Sequence, residues 1–279
     1  MKVSQRIAFI GAGSMAEAII SGMIAQGFVK SNQIIVTNRE NRERLAFLGD
    51  KYGVRNTPVK REAIKDADII VLSMKPKDAK EALSEVKEYI QENQLVISVL
   101  AGVATSFMED LIAKKVSVVR AMPNTSAMIG FSATAIAAGT YATEQDVEKA
   151  NQLFQTIGTT TIVEENSLHA ITGLSGSGPA YIYYLVEAME QAALEEGIDS
   201  DTAKDLIIQT LMGAAEMLKQ TEEKPAVLRQ KITSPGGTTQ AGLETLDQYR
   251  YQEALQACVK RATERSKELG RLFEETPLN

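Results

Sequence analysis

Short β-branched runs alternate with helically spaced apolar positions through the first 163 residues, and then the strand-like runs stop. Ile7–Ile10, Ile34–Thr37, Ile69–Leu72, Leu95–Val99, Ser117–Ala121, Ser132–Ala138 and Thr160–Val163 predict strands. Residues 69–72 and 95–99 are apolar without alternation, the pattern of central strands covered on both faces. Between strands, positions such as Ala79, Leu83, Val86 and Ile90 recur at helical spacing. Strand, helix and strand in that order predict parallel βαβ units with right-handed crossovers.

Beyond about residue 164 the pattern is helical. Residues 178–196 keep Ile182, Leu185, Val186, Met189 and Ala193 on one face, with Ser177 as the expected N-cap, Pro179 in the first turn and Gly197 as the stop. Residues 201–219 repeat the pattern through Leu206, Ile207, Leu211, Ala214, Ala215 and Leu218, and a further helix is expected over about 251–272. The expected fold class is α/β: a Rossmann-like, mostly parallel sheet domain over 1–164, followed by an all-α C-terminal oligomerisation domain over 165–279. A domain of about 115 residues has limited interior volume, so a second chain is expected to cover part of the Ala- and Leu-rich stripes, the alternative being a monomer whose helices pack on the sheet domain alone.

Composition narrows the function. With a net charge of −6 the chain has no basic excess to neutralise a nucleic acid, and no apolar run approaches the length of a membrane span. The apolar stretch near the N-terminus is too short for a signal peptide and runs straight into a glycine turn. Cys258 is the single cysteine and His169 the single histidine, which excludes an internal disulfide and a cysteine-based metal cluster and argues against a protein-built transition-metal site. The expectation is a cytoplasmic protein with a small-molecule substrate and neither nucleic-acid nor membrane partners.

The chemistry begins at Gly11-Ala12-Gly13-Ser14-Met15-Ala16, between the first strand and the first helix. A strand, glycine turn and helix N-terminus in this order form the phosphate grip of a dinucleotide fold. Gly11 permits the turn, Gly13 admits the pyrophosphate, and Ala16 lets helix and strand pack closely; Ser14 and Met15 complete the cofactor turn. The second strand ends in Thr37-Asn38-Arg39, with no acid before Glu40. Asn38 can donate hydrogen bonds and Arg39 can pair with a 2′-phosphate, so NADPH is expected over NADH, with NADH as a weaker alternative. Arg42 and Arg44 offer the same charge nearby, Lys60 is a further source of charge from the next loop that nothing in the sequence places, and Arg39 also fits a solvated first-turn position.

Five further stretches stand out: Val71-Leu72-Ser73-Met74-Lys75-Pro76, Ser98-Val99-Leu100-Ala101-Gly102-Val103, Arg120-Ala121-Met122-Pro123-Asn124-Thr125, Gly173-Leu174-Ser175-Gly176-Ser177-Gly178-Pro179-Ala180 and Ser234-Pro235-Gly236-Gly237-Thr238-Thr239. With the glycine turn, this set resembles the pyrroline-5-carboxylate reductase family over nearly the whole chain. One departure is Ser126, where that family usually has proline. The resemblance implies hydride transfer from NADPH to the imine carbon of 1-pyrroline-5-carboxylate, giving L-proline. It also implies intertwined homodimers, often assembled into decamers, with the Ser234–Thr239 loop facing a partner's cofactor. Within that loop Ser234, Gly236, Gly237, Thr238 and Thr239 would hold the substrate carboxylate through backbone N–H groups at a helix start. Thr239 matches the threonine that hydrogen-bonds near the imine nitrogen and is the expected catalytic residue. Ser177 and Gly178 would form the opposite wall, and Ala101 and Gly102 join the cofactor contacts.

Other readings stand beside these. Both glycine loops also fit ordinary helix caps or a hinge. Lys75-Pro76 lies at the carboxyl edge of the sheet, where Lys75 either orders the cofactor loop, acts as an acid or is simply solvated. Asn124 either meets the nicotinamide ribose or carboxamide or forms a turn. His169 and Cys258 read as structural, and Tyr181, Tyr183 and Tyr184 as packing residues. A related two-domain NADP-dependent hydroxy-acid dehydrogenase and a non-catalytic NADP(H)-binding sensor are the competing functions.

Overall fold

In the computed structural model the chain is described over residues 5–274, without the side chains of Phe273 and Glu274. Eight strands form one sheet: β1 Ile7–Ile10, β2 Ile34–Thr37, β3 Arg55–Thr57, β4 Ile69–Leu72, β5 Leu95–Ser98, β6 Ser117–Met122, β7 Ser132–Ala138 and β8 Gly158–Ile162. Their order is β3-β2-β1-β4-β5-β6-β7-β8. Every neighbouring pair is parallel except β6 and β7. That reversal follows from the connection, which is a short segment with one 3-10 stretch over Thr125–Ile129, too little chain for a crossover. The mostly parallel Rossmann-like sheet is therefore as expected. The sequence pattern missed β3, a three-residue strand pairing only with β2, whose Arg55 and Asn56 are exposed and polar.

The helices of this part are α1 Ser14–Ala25, α2 Arg42–Tyr52, α3 Lys60–Ile64, α4 Ala79–Val86, α5 Thr105–Ile112, α6 Glu144–Gln155 and α7 Leu168–Ile171. They cover both faces of the sheet. Ile7 and Phe9 of β1 join Ile19, Ile20, Met23, Leu48, Val71 and Phe154 in one core, while Ala8 and Ile10 point into a second core with Leu72, Leu83, Val96 and Met108. All four β1 residues are buried, so the unalternating run is explained by two cores rather than one. Ala16 is fully buried, as the close approach of α1 to β1 requires.

The remaining helices are α8 Gly178–Glu195, α9 Ser200–Thr221, α10 Pro225–Lys231, α11 Thr238–Gln248 and α12 Tyr251–Glu274. The chain divides into two compact units, one running to Pro179 and resuming at Lys260, the other Ala180–Val259. The last part of α12 belongs to the sheet unit: a Cβ on Gly270 would meet the Gly102 carbonyl at 2.9 Å, and Ser266 Oγ lies 3.0 Å from His169 Nδ1. His169 is thus a packing contact of that helix, in line with its structural reading.

Within the helical unit Asp199 caps α9 by accepting from the Thr202 N–H at 3.0 Å. Only Ala203 and Ile207 of that helix are buried, while Leu206, Met212, Met217 and Leu218 are exposed. Among the described residues no helix is long and apolar enough to cross a membrane, and no group of His, Cys, Asp and Glu is placed to hold a metal.

Candidate functional site: a glycine-lined cleft at the carboxyl ends of the strands

A cleft of about 720 Å³ opens where β1, β2 and β4 end, and the connections after these strands line it. This is the edge at which open parallel sheets bind ligands. Gly11, Gly13, Ser14, Met15, Asn38, Arg39 and Lys75 all reach it, as do Thr37, Glu40, Lys60, Ser73, Lys77 and Glu81. Most of the expected cofactor residues are therefore brought together.

The two glycines of the turn have different jobs. Gly11 has φ +113°, and a Cβ there would lie 2.5 Å from the Met74 amide nitrogen and the Ser73 carbonyl carbon. It is required by the fold. Ser73 reinforces the same contact by donating its hydroxyl to the Gly11 carbonyl at 3.0 Å. Gly13 is the N-cap of α1 with an ordinary φ of −75°, and a Cβ there would meet nothing nearer than the Ser73 carbonyl at 4.0 Å. No fold constraint demands glycine at this position, so the space it leaves is available to a ligand held by the first-turn amides of α1. Thr37 Oγ1, at the end of β2, is buried and lacks a hydrogen-bond partner. A buried hydroxyl without a partner on the cleft wall marks a place for a ligand polar group.

Two of the cations lining the cleft are paired with acids. Arg39 donates from Nη1 to Glu81 Oε2 at 2.6 Å and lies 3.2 Å from Glu40 through Nε. Lys60 is paired with Glu85. Arg44 is committed elsewhere: it donates from Nε to the Ala12 carbonyl at 2.8 Å and from Nη2 to Glu17. Glu17 also accepts from Lys51 at 3.0 Å and Tyr52 at 2.8 Å. Burial alone would raise the Glu17 pKa, but these hydrogen bonds outweigh it and hold the group at about 2. Arg44 therefore braces the glycine turn from behind. Neither Arg44 nor Arg42 lines the cleft, whereas Arg39 and Lys60 do.

Pro76, Ala101, Gly102 and Asn124 do not line the cleft. Pro76 starts a 3-10 turn directly after Lys75. Gly102 has φ +80° and packs against α12, 3.3 Å from the Gly270 nitrogen to its would-be Cβ. Asn124 is buried with its side chain engaged at both ends, accepting from the Ser126 N–H at 3.1 Å and donating to the Ser175 carbonyl at 3.0 Å. Arg120, buried in β6, pairs with Glu165 at 2.8 Å, and Thr105 binds the same carboxylate through its N–H and its hydroxyl. Burial opposes ionisation of Glu165, yet the bonds from Arg120 and Thr105 keep its pKa below the ordinary value.

Ser177 is not the N-cap expected. Residues Thr172–Gly176 form a π-helical turn that leads into α8, and the Ser177 N–H donates to the Thr172 carbonyl at 2.8 Å. Ser177 is in the right-handed helical region (φ −87°, ψ −14°), so helical backbone already runs through it before α8 begins at Gly178 as expected. A Cβ on Gly176 would lie 2.9 Å from Met122 Cε. Gly178 has nothing within 4 Å of its would-be Cβ.

In the helical unit Ser234, Gly236, Gly237, Thr238 and Thr239 form a turn that opens α11. Gly236 has φ +72° and its N–H donates to Gln240 Oε1 at 2.7 Å. The Gly237 N–H donates to the Ser234 carbonyl at 3.0 Å. The glycine amides expected to grip an anion are thus engaged within the turn. The first-turn amides of Thr238 and Thr239, which have no intrahelical acceptor, remain to do so.

Glu40, Glu81, Thr37 and Ser73 were not identified as cleft residues from sequence. Ser73 lies in the Val71–Pro76 stretch, which was its signal. Glu81 carried none, because it comes from a helix that follows a different strand.

The comparisons agree with this geometry. The pyrroline-5-carboxylate reductase dimerisation family matches residues 165–269, and the coenzyme F420-dependent NADP oxidoreductase family matches residues 6–102. Pyrroline-5-carboxylate reductase 2 of Bacillus subtilis (strain 168) is 47% identical over 269 residues, 96% of each chain. Among solved structures, a pyrroline-5-carboxylate reductase from Coxiella burnetii has a TM-score of 0.88 at 38% identity and covers 96% of this chain and 99% of its own. A Plasmodium falciparum pyrroline carboxylate reductase with NADP bound has a TM-score of 0.89 at 26% identity, covering 97% and 99%. From the glycine turn to the C-terminal helices, the chain belongs to the pyrroline-5-carboxylate reductase family.

Proposed function

We propose that this protein reduces 1-pyrroline-5-carboxylate to L-proline with NADPH. The observation that carries the proposal is the near full-length identity of 47% to a pyrroline-5-carboxylate reductase. The cleft fits the cofactor: Gly13 leaves open space before the amides of α1, and Thr37 Oγ1 is a buried hydroxyl awaiting a partner. Held there, NADPH would supply the hydride for the imine carbon.

The chain's residues do the rest. Gly11, Gly13, Ser14 and Met15 seat the pyrophosphate, Asn38 and Arg39 meet the adenosine ribose, and Lys75 with Pro76 orders the adjoining loop. Ala101, Gly102 and Asn124 support the nicotinamide end; for Gly102 and Asn124 the packing favours shaping that wall over direct contact. The Thr238 and Thr239 amides hold the substrate carboxylate, with Ser234, Gly236 and Gly237 fixing the turn. Thr239 orients the imine nitrogen, and Ser177 and Gly178 contribute to substrate binding. An imine can be protonated before hydride arrives, so orientation rather than a strong acid carries catalysis. Orientation contributes about 7–11 kcal/mol in well-placed systems.

The proposal assigns residues 1–164 to cofactor binding and 165–279 to substrate binding and dimerisation. It extends to a homodimer assembled into a decamer in the cytoplasm. The matched dimerisation region and the exposed apolar residues of α9 support the dimer. Steady-state NADPH oxidation by purified protein with pyrroline-5-carboxylate tests the activity, and substrate-dependent turnover is the expected result. Turnover with a hydroxy acid in place of the imine contradicts it.

A further inference from the structure

Each of two cations near the ribose end of the cleft is held by an acid from the same helix. Arg39, at the end of β2, donates to Glu81 at 2.6 Å, and Lys60, at the start of α3, is paired with Glu85. Glu81 and Glu85 are one turn apart on α4, on the face opposite its buried residues Ala79, Ala82, Leu83 and Val86. Arg39 has a second acid, Glu40, at 3.2 Å. Arg39, Lys60, Glu40 and Glu81 all line the cleft.

A 2′-phosphate carries a charge of about −1.5 to −2 at neutral pH. To pair with it, Arg39 has to leave Glu81, and the freed carboxylate then faces a like charge. A ribose with a free 2′-hydroxyl asks for neither change, and the carboxylates of Glu40 and Glu81 are the acceptors that such a hydroxyl needs. We infer that Glu81 is a specificity-determining residue: by holding Arg39 it weakens the grip on the 2′-phosphate and keeps the cleft open to NADH as well as NADPH. The inference deepens the proposed function and rests on it for the identity of the cofactor. Glu85 acts on Lys60 in the same sense.

The test is the affinity of wild type and Glu81→Gln for 2′,5′-ADP and 5′-AMP by calorimetry, alongside kcat/KM for NADPH and NADH. Gln keeps the size and removes the charge. The variant should bind 2′,5′-ADP about 3–10-fold more tightly, 5′-AMP no more tightly, and raise the NADPH:NADH ratio by a similar factor. The gain should shrink as salt is raised, and again in an Arg39→Ala background. An unchanged ratio, or a parallel change for both nucleotides, overturns the role of Glu81. If wild type binds 2′,5′-ADP but reduces no imine, the proposed function fails while the Glu81 result stands. If it binds neither nucleotide, both fail.

Discussion

The Asn124 side-chain amide donates to the Ser175 carbonyl at 3.0 Å, and Pro179, four residues after that carbonyl, has no N–H to offer it. A side chain from the β6–β7 connection thus repairs the hydrogen-bond gap that the proline and the π turn open at the head of α8. The result is a tie between the end of the sheet and the glycine-rich turn. Asn124→Ala should leave a buried carbonyl unpaired and lower stability by about 1–3 kcal/mol in urea unfolding. Unaltered stability with a specific loss of NADPH affinity would instead place this amide on the cofactor.

Gly11 and Gly13 should respond in opposite ways to alanine. At Gly11 the positive φ and the 2.5 Å approach to Ser73 and Met74 predict roughly 2–4 kcal/mol of destabilisation. At Gly13 the backbone accepts alanine and the surroundings are open. That variant should fold with wild-type stability and raise KM for NADPH by about tenfold, since a misfit of about 1.4 kcal/mol at the pyrophosphate suffices. Thermal unfolding and cofactor titration of both variants separate the two roles.

Glu17 makes stability depend on acidity. Its pKa falls from 4.5 in the unfolded chain to about 2 in the folded one, so its contribution is fully present above pH 4.5 and is lost as pH falls toward 2. Glu17→Gln should cost about 2–3 kcal/mol at pH 7. The gap between wild type and variant should close as unfolding is repeated down from pH 4.5. A gap that stays constant across that range would mean that Glu17 works by packing alone.

How legible these features were in sequence depends on how local their causes are. The bounds of β1, β2, β4 and β7 are legible to the residue; for β1 and β4 an unbroken apolar run flanked by turns leaves little choice of boundary. The antiparallel setting of β7 was invisible, since hydrophobic periodicity carries no strand direction. The glycine turn was legible as a motif, and the division of labour between Gly11 and Gly13 emerged only from what surrounds each of them. The π turn at Thr172–Gly176 was hidden because its glycines read equally well as a loop. Glu81 was hidden because its partner, Arg39, is 42 residues away in the chain.

The substrate turn gives a separate prediction. A Cβ at Gly237 would lie 3.1 Å from the Ser234 carbonyl, so Gly237→Val should distort the turn that presents the Thr238 and Thr239 amides. It should impair imine reduction more than Thr239→Ala does, while both variants bind NADPH as wild type does. Titration of NADPH against steady-state kinetics with pyrroline-5-carboxylate reads the split. Unchanged kinetics in both would remove this turn from catalysis.

The central claim is hydride transfer from the bound nicotinamide to the imine carbon, and isotope placement tests it most directly. Purified protein is incubated with pyrroline-5-carboxylate and NADPH carrying deuterium at the transferred position, and the product is examined by NMR and chiral chromatography. The account predicts L-proline with a single deuterium on C5, the former imine carbon, formed in step with NADPH oxidation. Oxidation of NADPH without labelled proline, or no oxidation at all, would contradict it.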